Sequence, residues 1–230
     1  MLEIRNKIGI KEDTTSGIDC LELAMDKEHF LNYPKKITYR YNSRGFRDNE
    51  WPEDLSNVIW CVGDSFTVGI GQPFEDTWPQ VLGSKLNRTC LNIGEQGCSN
   101  DTIALRIKEI YKLYNPTLIV VMWSYLSRRR INGVNRDHDK NDFGMERDLA
   151  NFSKNFKKVN ELPTTFVNLT IPYAFDDMTV LKRNYPDLIT TRQLDYARDH
   201  CHFGSKTSTG VCGLIVKKIN HIDNSSKYPI

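Results

Sequence analysis

Residues 118–123, Leu-Ile-Val-Val-Met-Trp, are six apolar side chains in succession. A strand points successive side chains to opposite faces, so a run without a polar position belongs to a strand covered on both sides. Pro116 stands just before it and ends a segment of about 100–114 in which Ile103, Ile107, Ile110 and Tyr111 recur at helical spacing. The same alternation starts earlier, with an apolar strand over 58–62 and a helix near 77–86, capped by Asp76 or Thr77 and carrying Pro79 in its first turn. A short strand follows at Cys90-Leu91-Asn92-Ile93. Beyond the run, a polar insertion over 127–144 leads into a helix of about 145–159 and a strand over 165–171. A Pro- and Asp-rich connection then precedes a last helix of about 205–220. Strands alternating with helices predict an α/β fold, a three-layer α/β/α sandwich with a mainly parallel sheet.

The chain divides by texture. Residues 1–56 are mixed and turn-rich, with 39–47 reading as a short strand and a Gly turn, and are expected to form a prologue packed on the main body. Residues 57–230 are expected to form the main body, a single globular unit. With 31 Lys+Arg against 29 Asp+Glu the formal charge is +2, which does not point to nucleic acid. Arg128, Arg129 and Arg130 have no aromatic residues between them and read as a solvated loop. No stretch reaches the roughly 18 apolar residues of a membrane span. Charges interrupt the N-terminal segment MLEIRNKIGIKEDTT, so no signal peptide is expected and the location is expected to be cytoplasmic. Six cysteines at irregular spacings, with no CxxC pair, read as reduced and mostly buried.

In parallel sheets, ligands bind beyond the carboxyl ends of the strands. One such end reads Ile59-Trp60-Cys61-Val62-Gly63-Asp64-Ser65: Gly63 permits a sharp exit that lifts the Ser65 hydroxyl clear of the sheet. A serine there is commonly a cap or turn residue; as a nucleophile it needs an imidazole oriented by a carboxylate. Of the five histidines, His29, His138 and His221 lie in surface-like settings. His200 and His202 lie in Asp199-His200-Cys201-His202, just before the last helix, and Asp199 precedes His202 by three residues.

Here the chain resembles the SGNH (GDSL-like) hydrolases, from about residue 58 onward. Gly63-Asp64-Ser65 is similar to the family's nucleophile block, Asn92-Ile93-Gly94-Glu95-Gln96-Gly97 to its second block, and Asp199-His200-Cys201-His202 to its Asp-x-x-His block. The resemblance implies a flavodoxin-like sheet and an esterase in which Ser65 attacks an ester carbonyl, His202 relays the proton and Asp199 orients His202. The N–H groups of Ser65 and Gly97 are the expected oxyanion donors, and losing one such donor costs about 3–4 kcal/mol of barrier. The expected substrate is a small-molecule or carbohydrate ester; no cofactor and no metal are implied, and the oligomeric state is left open.

The chain departs from the family after the third strand, where an asparagine donor is usual. Here the sequence is Trp123-Ser124-Tyr125-Leu126, so Ser124 or Tyr125 is the candidate third donor, with Trp123 and Tyr125 as candidate substrate-binding residues. A tryptophan at the mouth would make the acyl pocket small, favouring acetyl. Several rival chemistries are weaker. His200, Cys201, His202 and Cys212 match no zinc spacing. Asp137-x-Asp139-x-Asn141 lacks the glycine of a calcium loop. Cys98 lies in the wrong block for a nucleophile. The serious alternatives are a binding module of the same fold without turnover and an acyltransferase using the same triad.

Overall fold

The computed structural model describes residues 37–137, 140–173, 175–199 and 201–227. His29, His138, Asp139, His200 and the first 36 residues of the expected prologue lie outside the described residues. Four parallel strands form the sheet: β1 (Ile59–Gly63), β2 (Cys90–Gly94), β3 (Leu118–Trp123) and, further along the chain, β6 (Thr165–Thr170), in the order β2-β1-β3-β6. A single parallel bridge between Leu169 and Ile189 extends the sheet one position beyond β6. An antiparallel hairpin, β4 (Arg129–Ile131) and β5 (Val134–Arg136), stands apart from it.

The unbroken apolar strands are explained by two cores, one on each face. Trp60, Val62, Leu91, Ile93, Ile119, Val121 and Trp123 point to one side. There they meet Ile103, Ile107 and Ile110 of α3 (Asn100–Tyr114) and Phe152 and Val159 of α4 (Lys140–Asn160). The intervening residues Ile59, Cys61, Val120, Met122, Val167 and Leu169 point to the other side. They meet Trp78 and Leu82 of α2 (Trp78–Leu86) and Val211, Cys212 and Ile215 of α6 (Ser205–Lys227). Each face thus uses one parity of every strand, which is the three-layer arrangement that the sequence predicts.

Two local readings are revised and a third holds. Of the short strand and Gly turn expected at 39–47, the turn is formed and the strand is reduced to one bridged position at Tyr39: Asn42 Oδ1 accepts the N–H groups of Arg44 and Phe46, and Gly45 closes the turn at positive φ. The Pro- and Asp-rich connection contains a helix, α5 (Phe175–Asn184), whose apolar positions are too few to announce it. The backbone of α4 leaves helical geometry at Gly144 (φ 74°, ψ 156°), so its regular part begins where the sequence places it. Among the described residues no helix is long and apolar enough to cross a membrane.

Candidate active site

Gly63 ends β1 in register with Gly94 of β2, and the chain turns at once into α1 (Ser65–Val68). A side chain at Gly63 would press within 2.8 Å of the Met122 carbonyl oxygen and closer still to Thr67, so only glycine lets the turn sit this near β3. Asp64 caps the short helix: its Oδ1 accepts the Phe66 N–H at 3.0 Å. Ser65 therefore opens α1 at the carboxyl edge of the sheet. Its own N–H has no partner among the described residues, as expected at a first helical position.

The turn before α6 comes to the same edge. Asp199 Oδ1 accepts the N–H groups of Cys201 (3.1 Å) and His202 (3.0 Å), closing a tight loop around the carboxylate. Its Oδ2 lies 2.5 Å from His202 Nδ1, and His202 Nε2 lies 2.8 Å from Ser65 Oγ. Burial pulls the Asp199 carboxyl upward, but the hydrogen bond and charge of His202 and the two N–H donors outweigh it and hold the group below the usual carboxylate range. An ionised Asp199 fixes the tautomer, with Nδ1 donating to the carboxylate and Nε2 accepting from the serine hydroxyl. The Phe66 ring packs 4.6 Å from the imidazole and Phe203 packs on Phe66 at 5.2 Å, so apolar side chains fix the ring's tilt.

Gly97 lies in the loop after β2 at φ 73°, a conformation that favours glycine. Among the described residues its N–H, like that of Ser65, has no partner. The next amide, of Cys98, is tied back to the Glu95 carbonyl at 3.1 Å.

The candidates after β3 are placed differently from the sequence expectation. The Ser124 hydroxyl is committed to Asp64 Oδ2 at 2.5 Å, and its N–H to Asn100 Oδ1 at 2.8 Å, so it has no hydrogen to offer an oxyanion. Trp123 does not stand at the mouth of the site. It is 0% exposed because strand parity turns it into the α3/α4 core, against Phe152 and Phe156, with its indole N–H on Asn168. The inference of a small pocket from Trp123 lapses with it. Tyr125 is 36% exposed and meets the edge of Phe66, with Tyr173 beside it. Burial pushes its hydroxyl up to about 12, so it remains a neutral donor. Cys98 is buried with its thiol toward the Ser99 carbonyl, and Cys212 is buried against Trp78.

Sequence reasoning misses two residues here. Asn100, which reads as the start of a helix, spans to the end of β3, donating to the Ser124 and Tyr125 carbonyls. Arg128, which reads as solvated, is buried and bonded to Asp64, Ser124, Cys98 and Asp137. The adjacent Arg129 pairs with Asp148, and Arg130 is the one of the three that faces solvent. The signal in the sequence is faint: an arginine a few residues beyond a strand end, facing an aspartate seated in the turn that bears Ser65.

The chain matches no protein-family model and no curated protein. Solved structures share its fold. A protein from Bacteroides fragilis with a provisional acylhydrolase assignment superposes with a TM-score of 0.50 at 13% identity, over 74% of this chain and 90% of its own. The psychrotrophic esterase of a Pseudoalteromonas species gives 0.49 at 14% identity, over 74% and 100%. A lipolytic protein of the G-D-S-L family from Veillonella parvula gives 0.46 at 18% identity, over 69% and 97%. At these identities the likeness is one of fold. The shared fold is an α/β/α sandwich with a mainly parallel sheet.

Proposed function

We propose that this chain is a serine esterase that hydrolyses short-acyl esters, with O-acetylated carbohydrate as the candidate substrate class. The observation that carries this reading is the continuous relay from Asp199 through His202 to the Ser65 hydroxyl, at 2.5 and 2.8 Å. In the proposed mechanism Ser65 Oγ attacks the ester carbonyl carbon as its proton passes to His202 Nε2. Asp199 stabilises the imidazolium. The tetrahedral oxyanion takes hydrogen bonds from the Ser65 and Gly97 N–H groups. Collapse expels the alcohol, protonated by His202, and water then repeats the sequence on the acyl-enzyme.

The candidate acyl pocket is a cavity of about 170 Å³ that reaches the site only through Tyr125, which meets Phe66 beside the imidazole; Ser65 and His202 are not among its walls, which include Asp148 and Asp177 as well as Leu126, Met145 and Tyr173. The exposed Tyr125 ring offers the flat apolar face on which a sugar packs. A second reading, a binding module of this fold without turnover, is favoured by one observation: Ser124, a candidate side-chain donor for the oxyanion, is committed to Asp64. An acyltransferase would use the same relay with a sugar hydroxyl in place of water.

A fluorophosphonate probe separates these readings. Labelling that maps to Ser65 and vanishes in Ser65→Ala is the expected outcome, together with faster hydrolysis of p-nitrophenyl acetate than of the octanoate. A folded, unlabelled wild type overturns the enzyme reading in favour of the binding module.

A further inference from the structure

Behind the serine lies a polar network that the relay itself does not use. Asp64 is wholly buried, with one carboxylate oxygen on the Phe66 N–H and the other on the Ser124 hydroxyl. Arg128 Nη1 reaches three groups: Asp64 Oδ2 at 3.3 Å, Ser124 Oγ at 3.0 Å and the Cys98 carbonyl at 3.4 Å. Its Nε donates to Asp137 Oδ1 at 2.5 Å, and the guanidinium lies 5.2 Å from the centre of the Tyr125 ring.

These contacts belong to four parts of the site. Asp64 immediately precedes the serine. Ser124 follows the end of β3. Cys98 follows Gly97 in the loop expected to hold the oxyanion. Tyr125 stands beside Phe66, which packs on His202. The planar fork of an arginine can satisfy several fixed acceptors at once, which the single rotating ammonium of lysine does not.

We propose that Arg128 is a positioning residue for acyl transfer: through Asp64 and the Cys98 carbonyl it holds the Ser65 turn and the Gly97 loop in one fixed relation. This inference rests on the esterase reading above. The physical need is clear. An oxyanion gains from its donors only if they already point at the site where charge develops, because reorienting them during the reaction spends their effect. The Cys98 N–H is fixed within the loop, to Glu95, whereas the Cys98 carbonyl reaches out of it to Arg128, and the same Nη1 meets Asp64 beside the serine. Removing Arg128 breaks that bridge: the loop keeps the Glu95 N–H on the Gly63 carbonyl at 3.0 Å but loses its tie at the Cys98 end, next to Gly97, and Asp64 keeps only neutral donors.

The test compares Arg128→Met, Arg128→Lys and Arg128→Ala with Arg130→Met, an exposed control on the hairpin. Initial rates with p-nitrophenyl acetate are expected to show kcat lowered about 10- to 100-fold in Arg128→Met, with KM changed less than threefold. Arg128→Lys should recover only part, and Arg130→Met should match wild type. Millimolar guanidinium should raise kcat of Arg128→Ala and leave wild type unchanged, a rescue that a purely structural defect does not give. Amide exchange over 95–99 should quicken in Arg128→Met relative to the strands, and this readout needs no turnover. If Arg128→Met does not fold, the lysine variant and the guanidinium rescue decide. An unchanged kcat, or a loss with neither rescue nor faster exchange in 95–99, overturns the proposal. A wild type that is not labelled at Ser65 but whose 95–99 exchange responds to Arg128 leaves the clamp standing and sinks the esterase reading instead.

Discussion

Two buried arginines flank the Ser65 turn, and their charges are met in opposite ways. Arg128 meets carboxylates, Asp64 within the fold and Asp137 at the surface. Burial alone would lower its pKa, but these partners outweigh it and hold the guanidinium above its usual value. Arg47, 1% exposed, meets no carboxylate among the described residues. Its guanidinium donates to the carbonyls of Val68 (3.2 Å), Gly69 (2.5 Å) and Gln72 (2.7 Å) and lies 4.1 Å from the Tyr39 ring centre. There burial wins, and the pKa is lowered. Asp48, the very next residue, is also buried and does not pair with Arg47; it accepts the Asn92 and Asn49 N–H groups and the Gln80 amide. One flank of the site is thus held by opposite charges, the other by charges set against backbone dipoles.

The two flanks also serve different parts of the proposed chemistry. The turn held by Arg47 receives the Arg198 N–H on the Gly71 carbonyl at 3.0 Å, and the Gln72 side chain donates to the Phe203 carbonyl, so this flank fixes the loop bearing Asp199 and His202. The Arg128 flank fixes the loop bearing Gly97. The largest expected effect tests this division on the proton side. Asp199→Asn should lower kcat by roughly 10³- to 10⁴-fold, since an amide no longer enforces the imidazole tautomer or stabilises its cation. The melting temperature should move by only a few degrees, because the group lies at the edge of the protein surface with 14% of its side chain exposed. A loss below tenfold would mean that the carboxylate does not orient His202.

The next effect belongs to Asp48. Burial, opposed by its three donors, pushes its carboxyl up to about 7. Between about pH 4 and 7 the folded chain therefore holds a proton that the unfolded chain has released, and stability falls as pH rises through that window. Each pH unit separating the folded from the unfolded pKa is worth about 1.4 kcal/mol, so the total is on the order of 4 kcal/mol. Urea unfolding at pH 4.5, 6 and 7.5 should show the decline, and Asp48→Asn should flatten it. A wild-type stability that is constant or rising over this range would place Asp48 ionised throughout, held by its donors.

The sequence makes the strands, the two-sided cores and the serine, aspartate and histidine legible because each rests on local pattern: parity in Leu118 to Trp123, a glycine before Ser65, three-residue spacing in Asp199 to His202. The supports are not legible. Arg47 and Arg128 look like any surface arginine until the chain folds around them, since their partners include groups 21 and 64 positions away. Ser124 misleads for a related reason. Its distance from the end of β3 gives its location, but which acceptor takes its hydrogen depends on Asp64, whose buried carboxylate has a stronger claim than a substrate not yet bound. For Trp123 the expectation of a place at the mouth of the site points the wrong way, when the parity of its own strand already assigns it to the α3/α4 core.

The smallest expected effect is the removal of the other arginine. Arg47→Met takes a donor from three carbonyls, of which Gly69 still accepts the Gln72 N–H, and an unsatisfied buried acceptor costs about 1–3 kcal/mol. Against this, the substitution deletes a desolvated cation that has no carboxylate partner and whose Nε is itself unbonded among the described residues. Replacing such a charge with an apolar side chain of similar length often recovers much of the loss. The two terms oppose, and a net destabilisation of about 1–2 kcal/mol is expected, read as a lower urea midpoint with an unchanged slope. Because the carbonyls stay in place on a packed turn, kcat per folded molecule should fall less than in Arg128→Met, where the lost donor ties a glycine-containing loop to the serine. Equal losses of kcat from the two arginines would erase the distinction between the flanks and make both of them parts of one clamp around Ser65.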